Sequence, residues 1–222
     1  MISTQSKIKA VFAKTRADIE GNISPCINTN SHNGGFFSVP IIIFSFIEYL
    51  GILFRNPVEV KNGQRLENFT KTQIENTSIP YIKEYLGRVR TEYDKYAVLL
   101  YALYRNSLVH YFSPNEITIS KNQILTWGII KGSSSNHLAL APEEFHISDN
   151  SLIKKLVFTI NIDLFYLDLM ESIDKFVNDA LNNPIISTNI LLADKKLNNP
   201  RSLNLIPKYI KNELMKILSD TD

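Results

Sequence analysis

The stretch from residue 93 to residue 114, YDKYAVLLYALYRNSLVHYFSP, constrains the fold of this 222-residue chain more than any other. Its apolar residues recur every three or four positions, the spacing of a helix with one buried face: Tyr93, Ala97, Leu100, Tyr104 and Leu108. No residue breaks a helix before Pro114, which ends it. The spacing therefore predicts a long, mostly buried helix, with Arg105 and His110 near its C-terminal end.

These two residues are candidates for chemistry, but they do not share a helix face by spacing alone. On an ideal α-helix, Arg105 and His110 lie about 140° apart around the axis and about 7.5 Å apart along it. Asn106 and His110 are four positions apart and do share a face. Cations in the last turns also favour the negative end of the helix dipole, so a purely structural role is the alternative.

The segment LLYALYRNSLVHYFSP resembles the signature of the HEPN superfamily (higher eukaryotes and prokaryotes nucleotide-binding domains). That signature has an Arg, a polar residue and, a few positions on, a His, late in a core helix. Here Arg105, Asn106 and His110 match it as an R-x4-H motif. The resemblance is closest to uncharacterised bacterial HEPN-like families. It is specific over roughly residues 81–114, and looser from 36 to 181, where only the helix order matches.

The most apolar segment is 36–54, FFSVPIIIFSFIEYLGILF. Its length approaches the ~20 residues of a membrane span, but Pro40, Glu48 and Gly51 interrupt it and no second such segment exists. It therefore predicts a buried core helix beginning near Val39, as the HEPN resemblance also implies, and no membrane association. A buried Glu48 needs a partner, for which Arg105 is one candidate. Exposure of Glu48 to water at the helix margin is the other interpretation.

The remaining sequence before residue 93 alternates helical and turn-rich patterns. It predicts an amphipathic helix at 3–20, a polar connector at 21–35 and a loop at 55–64. A short polar helix at 66–74, a break at 77–80 and a resumed helix at 81–89 are predicted next. Four basic residues cluster near the resumed helix: Lys83, Arg88, Arg90 and Lys95. They predict a solvated helical face, and a track for a phosphate backbone is the alternative.

After Pro114 the pattern changes to short runs of β-branched and aromatic residues. It predicts a hairpin of 116–120 with 123–131, followed by edge strands or extended coil at 137–141 and 145–147. Helical spacing returns over 154–181, with Asn161 as a candidate N-cap.

The predicted fold class is mainly α: a HEPN-like helical bundle with a small β-hairpin or sheet insertion before the last core helix. The predicted organisation is a helical domain at 1–182 that contains the β insertion at 116–147. A C-terminal extension follows at 183–222, with a short helix at 206–218.

Composition limits the classes of function. Hydrophobic content of 44% and charged content of 21% are typical of a folded globular protein. A formal net charge of +2 gives no strong footprint for duplex nucleic acid, so DNA is not an expected partner. Cys26, the single cysteine, lies in the predicted polar connector. A single cysteine cannot form a disulfide within the chain, and one cysteine with four histidines does not predict a zinc cluster. We expect no cofactor or metal, and structural or solvated roles for His32, His137 and His146.

Metal-independent RNA cleavage needs a base, an acid and a cation that stabilises the phosphate. A histidine can be base or acid near neutral pH, and an arginine matches phosphate oxygens. Asn106 could hold the His110 tautomer or contact the phosphate. Since one histidine per chain does not readily serve as both acid and base, the resemblance implies a homodimer with two motifs in one cleft. It also implies a product with a 2′,3′-cyclic phosphate.

The sequence thus leads to two expectations of different classes. The first is a HEPN-type endoribonuclease of a bacterial defence or toxin–antitoxin system, cytoplasmic because its start lacks the form of a signal peptide. It has RNA as substrate, Arg105 and His110 as catalytic residues, Asn106 and Glu48 as supporting ones, and a cognate antitoxin or other protein as partner. The second is a non-catalytic HEPN-like binding or scaffold protein. In that case Arg105 and His110 are structural, pairing with Glu48 and with a backbone carbonyl.

Overall fold

A computed structural model of the chain describes residues 3–27, 35–55, 77–105, 108, 113–146 and 152–198. These residues form a mainly helical structure with a small four-stranded mixed sheet. The helices are α1 (Thr4–Ile27), α2 (Ser38–Arg55), α3 (77–86), α4 (Thr91–Leu100), α5 (Ile162–Asn182) and α6 (Pro184–Leu197). The strands are β1 (Ile117–Ser120), β2 (Gln123–Ile130), β3 (Ala139–His146) and β4 (Leu152–Asn161).

Two of the described helices contain a π-helical turn, in which backbone hydrogen bonds run from i to i+5. Helix α3 ends in the turn Ile82–Leu86, and α4 continues without a break into the turn Tyr101–Arg105. The apolar stripe predicted for this helix is confirmed, because five side chains are fully buried: Tyr93, Ala97, Leu100, Tyr104 and Leu108.

The predicted core helix at 36–54 is also confirmed, as α2. Apolar side chains along its length are fully buried, among them Val39, Ile43, Ile47 and Leu50. Within the described part of the chain, α2 alone is long and apolar enough to cross a membrane by length and composition. A core helix of a folded domain meets the same criteria. The buried residues and the packing of α2 against α1, α5 and α6 place it in the core of the bundle.

The N-terminal helix is longer than predicted. The segment 21–35 is expected to be a connector, but α1 continues to Ile27, and Ile23 is fully buried in the core. Cys26 therefore lies in the last turn of a helix and not in a loop. The predicted break at 77–80 is likewise wrong, because these residues are helical and lead directly into the π turn of α3. The predictions for 55–64 and 66–74 fall outside the described residues, apart from Arg55, the last residue of α2.

The predicted hairpin is confirmed, with β1 and β2 antiparallel around the turn at Lys121 and Asn122. The sheet order is β1-β2-β4-β3, so β3 is an edge strand, which is one of the two alternatives expected at 137–141 and 145–147. It forms one continuous strand from Ala139 to His146. Pro142 within β3 fits that position, since proline lacks the N–H that a central strand needs. Strand β2 pairs with β4 in parallel, and both pack on the helices through their apolar residues, including Trp127 and Phe158.

The β region extends beyond the predicted insertion at 116–147. Residues from Lys154 are expected to be helical, but Leu152–Asn161 forms strand β4, and the helix begins only at Ile162. The N-cap prediction is confirmed: the side chain of Asn161 accepts hydrogen bonds from the backbone N–H groups of Asp163 and Leu164. The last strand therefore enters α5 without any loop.

The segment after residue 183 starts with a helix that is part of the bundle. Helix α6 packs against α1, α2 and α5, and Ile190 and Ala193 are fully buried. The first part of the predicted C-terminal extension thus contributes to the core. The short helix predicted at 206–218 lies outside the described residues.

Gly51 provides a test of how closely α2 approaches α3. A Cβ atom added at Gly51 would lie 2.6 Å from the backbone oxygen of Thr77, which is closer than real Cβ contacts. We expect Gly51→Ala to lower the free energy of unfolding by about 1–3 kcal/mol through overpacking. Urea unfolding followed by circular dichroism measures this change.

Gly21→Ala is the matched control, because a Cβ at that position in α1 meets nothing within 4 Å. There the higher helix propensity of alanine should raise stability, by up to about 1 kcal/mol. The same substitution is therefore expected to have opposite signs at the two sites. Stabilisation by both would mean that α2 and α3 are further apart than described.

Candidate functional site

Arg105 occupies the last residue of the π turn that extends the core helix. Its side chain is only 10% exposed, and its Nε donates a hydrogen bond to the carboxylate of Glu48 on α2. The guanidinium carbon also lies 5.6 Å from the centroid of the Tyr101 ring, in a cation–π arrangement. Arg105 is thus held by an acid from one side and bordered by an aromatic ring.

Both interpretations of Glu48 are partly met in the structure. Its side chain keeps 23% of its surface exposed, so it lies at the margin of the core, but it is bound to Arg105. Burial lowers the pKa of the Arg105 guanidinium from its ordinary value. The adjacent carboxylate opposes that shift, because it favours the charged form. The prediction that Glu48 holds the orientation of Arg105 is therefore supported by the geometry.

The other two candidate residues, Asn106 and His110, lie outside the described residues. Their juxtaposition with Arg105 stays a prediction. The angular separation calculated for Arg105 and His110 assumes an ideal α-helix. That assumption concerns residues 106–110, of which the structure describes only Leu108.

Tyr104 fixes the turn against the sheet. Its hydroxyl lies 3.0 Å from the carbonyl oxygen of Gly128 in β2 and 2.5 Å from that of Phe158 in β4. One phenolic hydrogen thus serves two carbonyls of neighbouring parallel strands. Burial raises the pKa of Tyr104 far above its ordinary value, so the hydroxyl stays protonated and continues to donate. The residue before Arg105 is therefore tied to the sheet, while Arg105 itself is tied to α2.

The basic residues near α3 do not form an uninterrupted positive surface. Arg88 contacts Asp179 at 2.5 Å, Arg90 contacts Asp168 at 2.6 Å, and Lys83 lies 3.8 Å from Asp94. The ammonium group of the fourth, Lys95, lies 4.6 Å from the ring centroid of Tyr96. Since three of the four cations are balanced by carboxylates, the geometry favours the solvated face over a phosphate track.

A second cluster of charged and polar groups was not foreseen from the sequence. It consists of Arg90, Tyr93, His137 and Asp168, and we call it the His137 cluster. The Asp168 carboxylate accepts hydrogen bonds from Arg90 Nε at 2.6 Å and from the Tyr93 hydroxyl at 3.1 Å. His137 is predicted to be either structural or solvated. Its side chain is 1% exposed, so it is buried and not solvated.

The residues of the His137 cluster are far apart in the sequence, so no local sequence pattern indicates that they meet. One signal was present: Asp168 directly precedes Leu169 and follows Phe165 by three positions, which places it beside the buried stripe of α5. Burial alone would raise the pKa of Asp168, but His137 and Arg90 outweigh it and bring the pKa below its ordinary value.

A groove of about 500 Å³ lies among α1, α2 and α6. Its lining is mixed, with Lys14 and Asp18 from α1, Tyr49 from α2, and Asp194 from α6. Burial, followed by the negative charges of Asp194 and Asp18, raises the pKa of Tyr49. No three His, Cys, Asp or Glu side chains among the described residues are grouped so that they could hold a metal ion.

Comparisons with protein-family models, with curated proteins and with solved structures give no match to this chain.

Proposed function

We propose that this chain is a HEPN-like endoribonuclease that cleaves RNA without a metal, through Arg105 and His110. The observation that carries the proposal is the pairing of Arg105 with Glu48 across the core, from the π turn that follows α4 to α2. A motif arginine needs a defined orientation to meet a phosphate, and a carboxylate held on a neighbouring core helix provides it. The mainly helical architecture is compatible with the proposal, although it is not specific to it.

In this mechanism His110 takes the proton of the ribose 2′-hydroxyl or protonates the leaving 5′-oxygen. Arg105 stabilises the charge that develops on the phosphate, as a permanent cation with a planar set of donors. Asn106 contacts the phosphate or fixes the His110 tautomer. The attack of the 2′-oxygen gives a 2′,3′-cyclic phosphate and a free 5′-hydroxyl. A homodimer, in which each chain contributes one motif to a shared cleft, supplies the second histidine.

A second candidate function has an observation in its favour. The side chain of Arg105 is nine-tenths buried and already bound to Glu48, which is what a purely structural arginine requires. The alternative is therefore a non-catalytic HEPN-like binding or scaffold protein that acts through a protein partner. A bacterial defence or toxin–antitoxin context, a cytoplasmic location and a cognate antitoxin remain part of the first proposal only.

The deciding experiment is incubation of total RNA with the purified protein in EDTA. Wild type, Arg105→Ala and His110→Ala are compared, with circular dichroism as the check on folding. We expect the wild type to cleave and to leave cyclic phosphate ends, and both variants to lose activity by at least about 100-fold, the usual contribution of a general acid or base.

Arg88→Ala is the matched control, because it removes an arginine that is also paired with a carboxylate, but on the surface. It should retain wild-type cleavage. Undiminished cleavage by folded Arg105→Ala or His110→Ala would remove the motif from the mechanism. Absence of cleavage by the wild type, with both variants folded but less stable, would favour the scaffold protein.

A further inference from the structure

The His137 cluster has a hydrogen-bond pattern that determines where its protons are. The backbone N–H of Asn161 donates to His137 Nδ1 at 3.0 Å, so this nitrogen carries no hydrogen. The hydrogen of the neutral ring is thereby assigned to Nε2, which lies 2.8 Å from the Tyr93 hydroxyl. That hydroxyl donates onward to Asp168, which also accepts from Arg90. Each of these contacts joins a donor to an acceptor when His137 is neutral.

These contacts anchor the connector between β2 and β3, residues 131–138, to the start of α5. The side-chain amide of Asn161 donates to the carbonyl oxygens of Gly132 at 3.0 Å and Ser134 at 2.7 Å. The N–H of Gly132 donates to the carboxylate of Asp163 at 2.6 Å. The connector is thus fastened at its beginning by side chains of α5 and its N-cap, and at its end by the ring of His137.

The connector is also strained at the residue next to His137. Leu138 has φ of +54° and is 3% exposed. A bulky residue adopts this left-handed conformation rarely and keeps it only when its surroundings enforce it. The burial of Leu138 and the bonds of His137 supply that enforcement. Loss of the His137 bonds would allow the connector to relax.

We propose that His137 is a proton-operated latch that fastens the β2–β3 connector to helix α5. Protonation adds a hydrogen at Nδ1, where the N–H of Asn161 already points, so two donors face each other. The hydrogen bond between the connector and the last residue of β4 is lost. The end of the connector that carries His137 and Leu138 then separates from Asn161, while the bonds of Gly132 and Ser134 to Asn161 and Asp163 remain. It returns when the proton leaves.

The charged groups around His137 both favour and oppose protonation. The carboxylate of Asp168 favours a cation, with its Oδ2 3.5 Å from Nε2, and the carboxylate of Asp163 at the start of α5 acts in the same direction. Arg90 opposes it, because its guanidinium already binds the same oxygen of Asp168. The positive end of the α5 dipole and the burial of the ring also disfavour a cation here.

Asp168 also links stability to pH, but in a different range. Because its folded-state pKa lies below the unfolded value, it contributes stability above the unfolded pKa of about 3.9. That contribution is lost only as pH falls through the still lower folded pKa. Asp168 is therefore not the source of a change between pH 7.5 and 5.

The test is a pH titration of the isotope-labelled full chain by nuclear magnetic resonance. The imidazole of His137 and the backbone amides of Asn161 and Gly132 are followed between pH 7.5 and 5. We expect the Asn161 amide signal to shift with the protonation of His137, and the Gly132 amide, whose bond to Asp163 is retained, to shift less. The exchange protection of the Asn161 amide, corrected for intrinsic pH dependence, should fall about tenfold, as for the loss of one hydrogen bond.

Two variants distinguish the effect of protonating His137 from a general effect of acid on the protein. In His137→Asn, the side-chain oxygen can accept from Asn161 but cannot titrate, so the step in Asn161 protection should disappear. His32→Asn removes another of the four histidines and should leave the step unchanged. The proposal is overturned if His137 stays neutral throughout, or if it titrates in the wild type without any change at Asn161. Because the wild-type titration decides this alone, a poorly folding variant does not prevent a result.

Discussion

Replacement of Phe176 by alanine is expected to lower the free energy of unfolding by about 3–5 kcal/mol. The fully buried ring lies at the centre of an aromatic group contributed by α1, α2 and α3. Its centroid is 4.6 Å from that of Tyr85, 5.2 Å from Phe12, 5.7 Å from Tyr81 and 6.0 Å from Phe54. Removing it leaves a cavity whose lining comes from three helices, so no single helix can move to fill the space.

Urea unfolding followed by circular dichroism measures the loss, and Leu167→Ala on the same helix is the control. Leu167 is 57% exposed, and an exposed side chain of this kind should change stability by no more than about 0.5 kcal/mol. Comparable losses for the two variants would mean that the buried face of α5 has been misidentified.

The elements with long, regular patterns could be predicted from the sequence. The stripe from Tyr93 to Leu108 keeps helical spacing over more than four turns, and the hairpin has alternating residues on both sides of a polar turn. In the helix the local pattern and the tertiary burial agree, whereas β1 of the hairpin is exposed along its length. The Arg105–Glu48 pair could also be anticipated, since a carboxylate within an apolar helix needs a partner.

Strand β4 shows where such patterns are ambiguous. Its sequence, LIKKLVFTIN, has short groups of apolar residues on either side of two lysines, and these groups fit a strand or the beginning of a helix equally well. What makes it a strand is its position between β2 and β3, and the β2 partner lies some thirty residues earlier in the chain. Information of this kind is not local, so the periodicity of the segment does not contain it.

The extension of α1 has a similar cause. The residues from Gly21 to Pro25 have low helix propensity and are typical of turns. Ile23 nevertheless reaches the core and is fully buried, and its packing outweighs propensities that amount to about 1 kcal/mol or less per residue, proline excepted. The His137 cluster was missed for the same reason as β4, because its members meet only after the chain has folded.

The second large effect is expected at the ion pair of the candidate site. Glu48→Gln keeps the shape of the side chain but leaves the guanidinium of Arg105, which is only 10% exposed, facing a neutral group. We expect a loss of about 3 kcal/mol in the free energy of unfolding, at the low end for a broken buried pair because Glu48 is partly hydrated. Glu171→Gln is the control, since it breaks an exposed pair with Lys175 and should cost no more than about 0.5 kcal/mol.

The double variant Glu48→Leu with Arg105→Met replaces both charges by apolar groups and should recover most of that loss, because no uncompensated charge remains buried. Urea unfolding of the single and double variants gives the coupling between the two positions. Equal stability of Glu48→Gln and Glu171→Gln would show that the pair contributes little to the fold. If the double variant is as stable as expected, it also shows whether Arg105 is needed for cleavage or only for folding. A well-folded protein without the guanidinium should fail to cleave RNA if Arg105 is catalytic.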